Sequence, residues 1–150
     1  DGIQFILLGT GEEKYHTLFE KLSQEYKSCI GVHLCFDAKM SKKIYAGADA
    51  FLMPSYYEPC GLGQLISLRY GTVPIVRETG GLADTINKTN GFIFKEYSSN
   101  KLLETIENAH NLFKQNKKKW LEIVKNGMQQ NFSWEKSAKE YEKLYTNLIK

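Results

Sequence analysis

The stretch AFLMPSYYEPCGLGQLISLRYGTVPIV, residues 50–76, decides how the rest of the chain is read. Its first four residues, Ala50 to Met53, are continuously apolar and too few for a helix, and Pro54 follows them directly. A turn from Ser55 to about Gly61 comes next. Leu62 to Tyr70 has helical character and is closed by Gly71 at its C-terminal cap. Val73 to Val76 is then a second apolar run. Two continuous apolar strands with a helix between them make parallel neighbours, buried on both faces.

The same alternation extends in both directions. Upstream, Ile3 to Leu8 is a strand ending in Gly9-Thr10-Gly11. A helix follows from about Glu12 to Lys27, with Tyr15, Leu18, Phe19, Leu22 and Tyr26 on one face. Ile30 to Phe36 is the next strand, and Met40, Ile44 and Tyr45 fit a short helix closing near Gly47. Downstream, Leu82 begins a short helix and Phe92 to Phe94 is a short fifth strand. From Asn100 the chain is helical, in three segments broken near Gln115 and Asn131. In the last of them Ser133 is an N-cap before Trp134, Ala138, Tyr141, Tyr145 and Leu148, a stripe suited to core or interdomain packing. The pattern predicts one α/β domain over residues 1–150, a doubly wound parallel sheet with C-terminal helices.

Bulk composition fits that class. The 150 residues are 42% hydrophobic and 25% charged, which suits one soluble globular domain. No apolar run approaches the roughly 18 residues of a bilayer span, and Asp1 to Thr10 lacks the order of a signal peptide. Cys29, Cys35 and Cys60 are an odd set without Cys-x-x-Cys spacing, so neither a disulfide framework nor a zinc site is suggested. A reducing, cytosol-like compartment is expected, with no membrane partner. The net charge of +3 gathers late, at Lys114, Lys117, Lys118, Lys119 and Lys125. Because Trp120, Leu121 and Val124 run beside those lysines at helical spacing and no aromatics interleave with them, the cluster reads as a solvated helix face. A nucleic-acid patch is the alternative it disfavours.

In doubly wound sheets ligands bind beyond the carboxyl ends of the strands, where loops become helices. The turn after Met53 lies at such an end. A helix starting near Gly61 directs unpaired N–H groups and partial positive charge at whatever precedes it, and glycines at 61 and 63 permit close approach to the backbone. A phosphate or a sugar hydroxyl is the natural guest. Glu58 would repel a phosphate unless it serves another part of the same ligand, which suggests a nucleotide sugar. The plainer reading of Glu58 is charge complementarity to the helix N-terminus, and both remain open from the residues alone.

Other nucleotide motifs fail. Gly9-x-Gly11 meets Lys14 and Gly61-x-Gly63 meets Ile66 where a dinucleotide fingerprint needs glycine, and no Gly-x-x-x-x-Gly-Lys-Ser/Thr run exists. His16, His33 and His110 lack ligand-like spacing and read as surface or satisfied structural residues.

PSYYEPCGLGQLISLRYGTVPIVRETGGLADT, residues 54–85, resembles the signature region of bacterial glycogen synthases and plant starch synthases. FILLGTGEEKY and NFSWEKSAKEYEKLY also fit the C-terminal half of those enzymes, so the resemblance covers essentially the whole chain. It implies a retaining glucosyltransferase of GT-B architecture, two Rossmann-like domains facing a cleft. The N-terminal domain would hold an α-1,4-glucan acceptor and the C-terminal domain the donor ADP-glucose, with no metal or cofactor. By that resemblance the chain is a donor-domain fragment lacking its first strand-helix unit, inactive by itself and needing its own N-terminal acceptor domain. Its compartment would be the cytoplasm, or the plastid in a plant-like source. The alternatives are another retaining GT-B enzyme using a UDP- or GDP-sugar, or a non-catalytic nucleotide- or glucan-binding paralogue.

The resemblance also implies roles for residues. Glu58 is the catalytic carboxylate near the donor glucose. The turn at Cys60 and Gly61 holds sugar hydroxyls, and the amides of Leu62, Gly63 and Gln64 meet the phosphates. Phe36 stands where relatives carry an adenine-stacking Tyr, its other reading being a core aromatic at a strand end. Gly9 and Gly11 would shape the loop near the nucleotide, Thr79-Gly80-Gly81 matches a family-like turn, and Asp84 reads as structural. Gly63 replaces the threonine of many bacterial members. Ile66 stands where the wider retaining superfamily often has a second glutamate, as apolar or aromatic residues do in glycogen and starch synthases.

Overall fold

The computed structural model describes residues 2–149, which fall into two compact units that divide after Gly47. The first is a strand–helix–strand unit. β1 (Phe5–Leu8) and β2 (Ile30–His33) pair in parallel with Phe5 opposite Ile30 and Leu8 opposite His33. α1 (Glu13–Glu25) makes the crossover, and Phe19 stacks on Phe5 with ring centroids 6.3 Å apart. Of the predicted helix face, Phe19 and Leu22 are half-buried while Tyr15, Leu18 and Tyr26 stay exposed. β1 starts two residues later than expected. β2 stops at His33 rather than Phe36, because Asp37 turns the chain into α2 (Ala38–Gly47). The Asp37 carboxylate accepts from the N–H groups of Lys39 at 2.8 Å and Met40 at 2.9 Å, the geometry of an N-cap.

The second unit is a three-layer sandwich. Its parallel sheet has the order β3-β4-β5, with β3 (Ala50–Met53), β4 (Val73–Arg77) and β5 (Phe92–Phe94). Side chains alternate across β4. Val73 and Ile75 join Ala109, Trp120 and Ile123 of α5 (Ser99–Gln115) and α6 (Lys117–Met128) in one cluster. Val76 faces the other way and packs with Leu68 of α3 (Gly63–Tyr70), Leu82 of α4 (Gly80–Thr85) and Ile86.

A proline in a central strand is unusual, and register explains this one. The Val73 N–H donates to Asp49 O at 3.0 Å, on the β3 side. The next residue, Pro74, therefore turns its missing donor toward β5, which pairs only from Ile75 onward. No ladder bond is lost. Gly71 ends α3 with φ +81°, and the N–H groups of Gly71 and Thr72 return to the carbonyls of Leu68 and Ser67, the expected C-terminal cap.

Along α6 the buried residues are Trp120, Ile123 and Gly127, with Leu121 exposed against expectation. Lys114, Lys117, Lys118, Lys119 and Lys125 are all exposed, as a solvated face requires, and Lys117 lies 4.0 Å from the centroid of the Phe113 ring. α7 (Trp134–Leu148) has the predicted cap, Ser133 Oγ accepting from the Lys136 N–H at 3.4 Å. Its stripe is not core: no residue of α7 is buried, and Trp134 is 87% exposed. No described helix is long and apolar enough to cross a membrane.

Candidate functional site

Residues 54–62 form the loop at the carboxyl end of β3, and the fold grips it from three sides. On one side lie the glycines that open α4. The Gly81 N–H donates to Glu58 O at 2.9 Å, and Gly80 has φ +45°. A Cβ at Gly80 would stand 2.2 Å from Glu58 O, and one at Gly81 would stand 2.8 Å from Pro59 O. Only glycine lets these two backbones touch. This explains why α4 starts at Gly80 and not at Leu82: residues of poor helix propensity are required by a neighbour from another part of the chain.

A second grip comes from within. Gly61 is buried, and a Cβ there would meet Met53 Cε and Gln64 Oε1 at 2.7 Å and Glu58 Cγ at 3.1 Å. A Cβ at Gly61 would therefore displace the ends of the Met53 and Gln64 side chains, a packing effect different from the close approach of a ligand that its position suggests. Gln64 is 1% exposed; its Nε2 donates to Thr85 Oγ1 at 3.3 Å, and Thr85 Oγ1 donates to Gly81 O at 2.7 Å. The chain Gln64–Thr85–Gly81 ties α3 to α4 directly beneath the loop. Gln64 Oε1 is buried without a hydrogen-bond partner.

The third grip is Arg77 at the end of β4. Its guanidinium donates through Nε to Ser55 O at 2.8 Å, through Nη2 to Tyr56 O and through Nη1 to Lys95 O at 3.5 Å. The rings of Tyr56 and Tyr97 stand 5.7 and 5.5 Å from the guanidinium carbon and meet each other edge to face at 5.1 Å. The adjacent Glu78 pairs with Lys95 at 3.5 Å. Nothing local in the sequence marks Arg77, since a cation after an apolar strand looks like ordinary solvation.

Glu58 itself is half-buried, and among the described residues it has no cation within ion-pair distance. α3 begins at Gly63 with no acidic residue in its first turn, so Glu58 lies five positions ahead of the helix. The first turn of α3 has no side-chain cap: Leu62 occupies the cap position in helical conformation, and its carbonyl accepts the Ile66 N–H at 2.9 Å. The amides of Gly63, Gln64 and Leu65 precede this first helical bond and so lie at the end of the helix that has no intrahelical acceptor. Cys60 and Leu62 are exposed and Gly63 is half-exposed. One unit therefore brings together Glu58, Cys60, Gly61, Leu62, Gly63 and Gln64.

Phe36, Gly9 and Gly11 belong to the other unit. Phe36 is 91% exposed, which removes the reading as a core aromatic. The Gly9 N–H donates to His33 O at 3.1 Å and the Gly11 N–H to His16 Nε2 at 3.0 Å. Neither glycine has a positive φ, and a Cβ at either would meet nothing within 4 Å. The fold of this chain leaves both positions open. His16 is thereby a satisfied structural residue and His33 is exposed, whereas His110 departs from expectation with Nε2 buried and unpartnered. Asp84, read as structural, is exposed. All three cysteines are free thiols, and no cluster of metal-ligating side chains occurs among the described residues.

Comparison with known proteins sets this geometry in context. The family model of glycosyl transferases group 1 matches residues 1–127. Glycogen synthase of Thermosipho melanesiensis is 53% identical over 154 aligned positions, covering 98% of this chain and 32% of the relative. The catalytic domain of starch synthase IV from Arabidopsis thaliana, bound to ADP and acarbose, superposes with a TM-score of 0.84 at 38% identity, over 96% of this chain and 32% of that one. Sucrose-phosphate synthase from Thermosynechococcus elongatus gives 0.70 at 26% identity, over 97% and 38%. The chain spans about a third of the length of these relatives.

Proposed function

Since the chain belongs to the glycosyl transferases group 1, we propose that it is the donor-binding part of a retaining glucan synthase, moving glucose from ADP-glucose to the non-reducing end of an α-1,4-glucan. The observation that carries the reading is the gripped turn 58–64, which sets one carboxylate beside an uncapped helix N-terminus. The two features suit the two halves of a nucleotide sugar. The amides of Leu62, Gly63 and Gln64 take the diphosphate, where partial positive charge favours it. The Cys60–Gly61 turn takes sugar hydroxyls, and Phe36 offers an exposed ring to the adenine. Gly9 and Gly11 are assigned, on the resemblance alone, to shaping the loop near the nucleotide.

In the transfer, the bond from the anomeric carbon to the diphosphate oxygen breaks and its electron pair leaves with ADP. The acceptor 4-hydroxyl oxygen bonds to the same carbon with retained configuration, and its proton passes to the departing phosphate. Glu58 lowers the barrier by facing the positive charge that develops on the sugar, while the helix N-terminus stabilises the departing anion. The reading assigns no metal ion and no cofactor to the reaction. It assigns the glucan to an acceptor domain outside these residues, and, with three free thiols, places the protein in the reducing cytoplasm, or the plastid of a plant-like source.

The test is glucosyl transfer to a maltooligosaccharide by the full-length protein. ADP-glucose should be preferred over UDP-glucose, a chelator should leave the rate unchanged, and residues 1–150 alone should give no product. Preference for UDP- or GDP-glucose would redirect the reading to another retaining glycosyltransferase. Nucleotide binding without transfer would redirect it to a binding paralogue.

A further inference from the structure

The assignment of Glu58 leaves open what holds its loop still, and we propose that Arg77 is the positioning residue: its guanidinium clamps the main chain at Ser55 and Tyr56 and so presents the Glu58 carboxylate. This rests on the reading of Glu58 given above. Three observations support it independently of that reading. The guanidinium spends its donors on main-chain carbonyls, two in the loop after β3 and one at Lys95 after β5. It joins the ends of three adjacent strands at the edge where the site lies. The rings of Tyr56 and Tyr97, one from each loop, pack edge to face on each other and lie 5.7 and 5.5 Å from the guanidinium carbon. No carboxylate among the described residues pairs with it, and its neighbour Glu78 pairs with Lys95 instead.

A cation kept only for solubility would face water, and one kept for charge balance would face an acid. Arg77 does neither. A planar fork with five donors can reach several carbonyls at once while stacking on rings, and a lysine ammonium cannot reproduce that. The carbonyl of Glu58 is bound in turn by the Gly81 N–H at 2.9 Å. Main-chain anchors at Ser55, Tyr56 and Glu58 thus leave the segment 55–58 little freedom, and a misplacement of about 1 Å in a reacting group costs on the order of 10²-fold in rate.

Two measurements on the full-length protein separate this proposal from the reading it rests on. The first is chymotrypsin cleavage after Tyr56 and Tyr57 under native conditions, which needs no activity. Arg77→Lys and Arg77→Gln should each speed cleavage by about tenfold or more, because charge-assisted bonds to the loop are lost. Tyr97→Leu keeps the guanidinium's hydrogen bonds and is the milder variant in case the others fold poorly; it should move cleavage in the same direction by less. The second is kinetics with ADP-glucose: kcat of Arg77→Lys should fall 10- to 100-fold with the donor KM within about threefold, and Arg77→Gln combined with Glu58→Gln should be no slower than Glu58→Gln alone. Unchanged cleavage in every variant overturns the clamp. Faster cleavage with kcat unchanged overturns its role in presenting Glu58, as do additive losses in the double variant. A fully active Glu58→Gln variant overturns the reading of Glu58 and this role together, and it is recognised from that variant alone.

Discussion

At the scale of single residues, the site separates side chains that act from side chains that hold. Glu58 is half-buried, without an ion-pair partner among the described residues and outside the first turn of α3. Its charge therefore contributes little to folding. Glu58→Gln in the full-length protein should lower kcat by about 10²- to 10³-fold while the melting temperature and donor affinity stay near wild type. A fall in melting temperature with kcat held within about threefold would return Glu58 to a helix-end charge. Phe36, almost fully exposed, predicts the same separation by another route. Phe36→Ala should leave stability within about 0.5 kcal/mol and weaken donor binding by about 1 to 3 kcal/mol, readable by calorimetric titration of ADP beside a thermal melt. Gly80 is a residue that holds. Alanine there would need a left-handed conformation and would press Cβ against Glu58 O, a backbone atom with little room to yield. Gly80→Ala should cost about 2 to 4 kcal/mol by denaturant midpoint and lower kcat as the turn moves. An unchanged midpoint would mean that the two backbones are not in contact.

At the scale of elements, what the sequence reveals depends on how local the cause is. β3, α3, β4 and the cap at Gly71 are legible because each is written in contiguous residues: apolar runs, helical spacing, a glycine at the end. The end of β2 is misread because Cys35 and Phe36 continue an apolar run, while the signal that stops it, Asp37 capping α2, is a single polar residue. The start of α4 is misread because its cause lies in a different loop. In the site, the turn and its carboxylate are legible from the strand–turn–helix pattern. Arg77 bonding to Ser55 and Gln64 to Thr85 are not, since each joins residues some twenty positions apart. Asp37 also sets a pH dependence. Hydrogen bonds from the Met40 and Lys39 N–H groups hold its carboxyl below the usual carboxylate range. A depressed folded-state value means that the cap contributes in full above that range and is lost as pH falls through it and below. Amide protection of Lys39 and Met40 should therefore decrease on acidification, and Asp37→Asn should flatten the decrease. Protection independent of pH in the wild type would show that the carboxylate does not cap α2.

At the scale of the whole molecule, burial is distributed unevenly. The buried hydrophobic residues all fall between Leu68 and Ile123, and no described residue of the first unit is fully buried. Local stability follows buried apolar contact. In hydrogen exchange, amides of β4 and α6 should be the slowest, and those of β1 and β2 should exchange at least about tenfold faster. Equal protection across both sheets would contradict that ordering. The same unevenness bears on how the protein is made. Residues 2–47 leave the ribosome before the residues that form the buried core, and at about 5 to 20 residues per second the second unit takes several seconds more to emerge. During that interval none of the buried core of the second unit exists, so within these residues it is the half-buried and exposed side chains of the first unit, among them Phe5, Phe19, Leu22 and Phe36, that nascent-chain chaperones meet first.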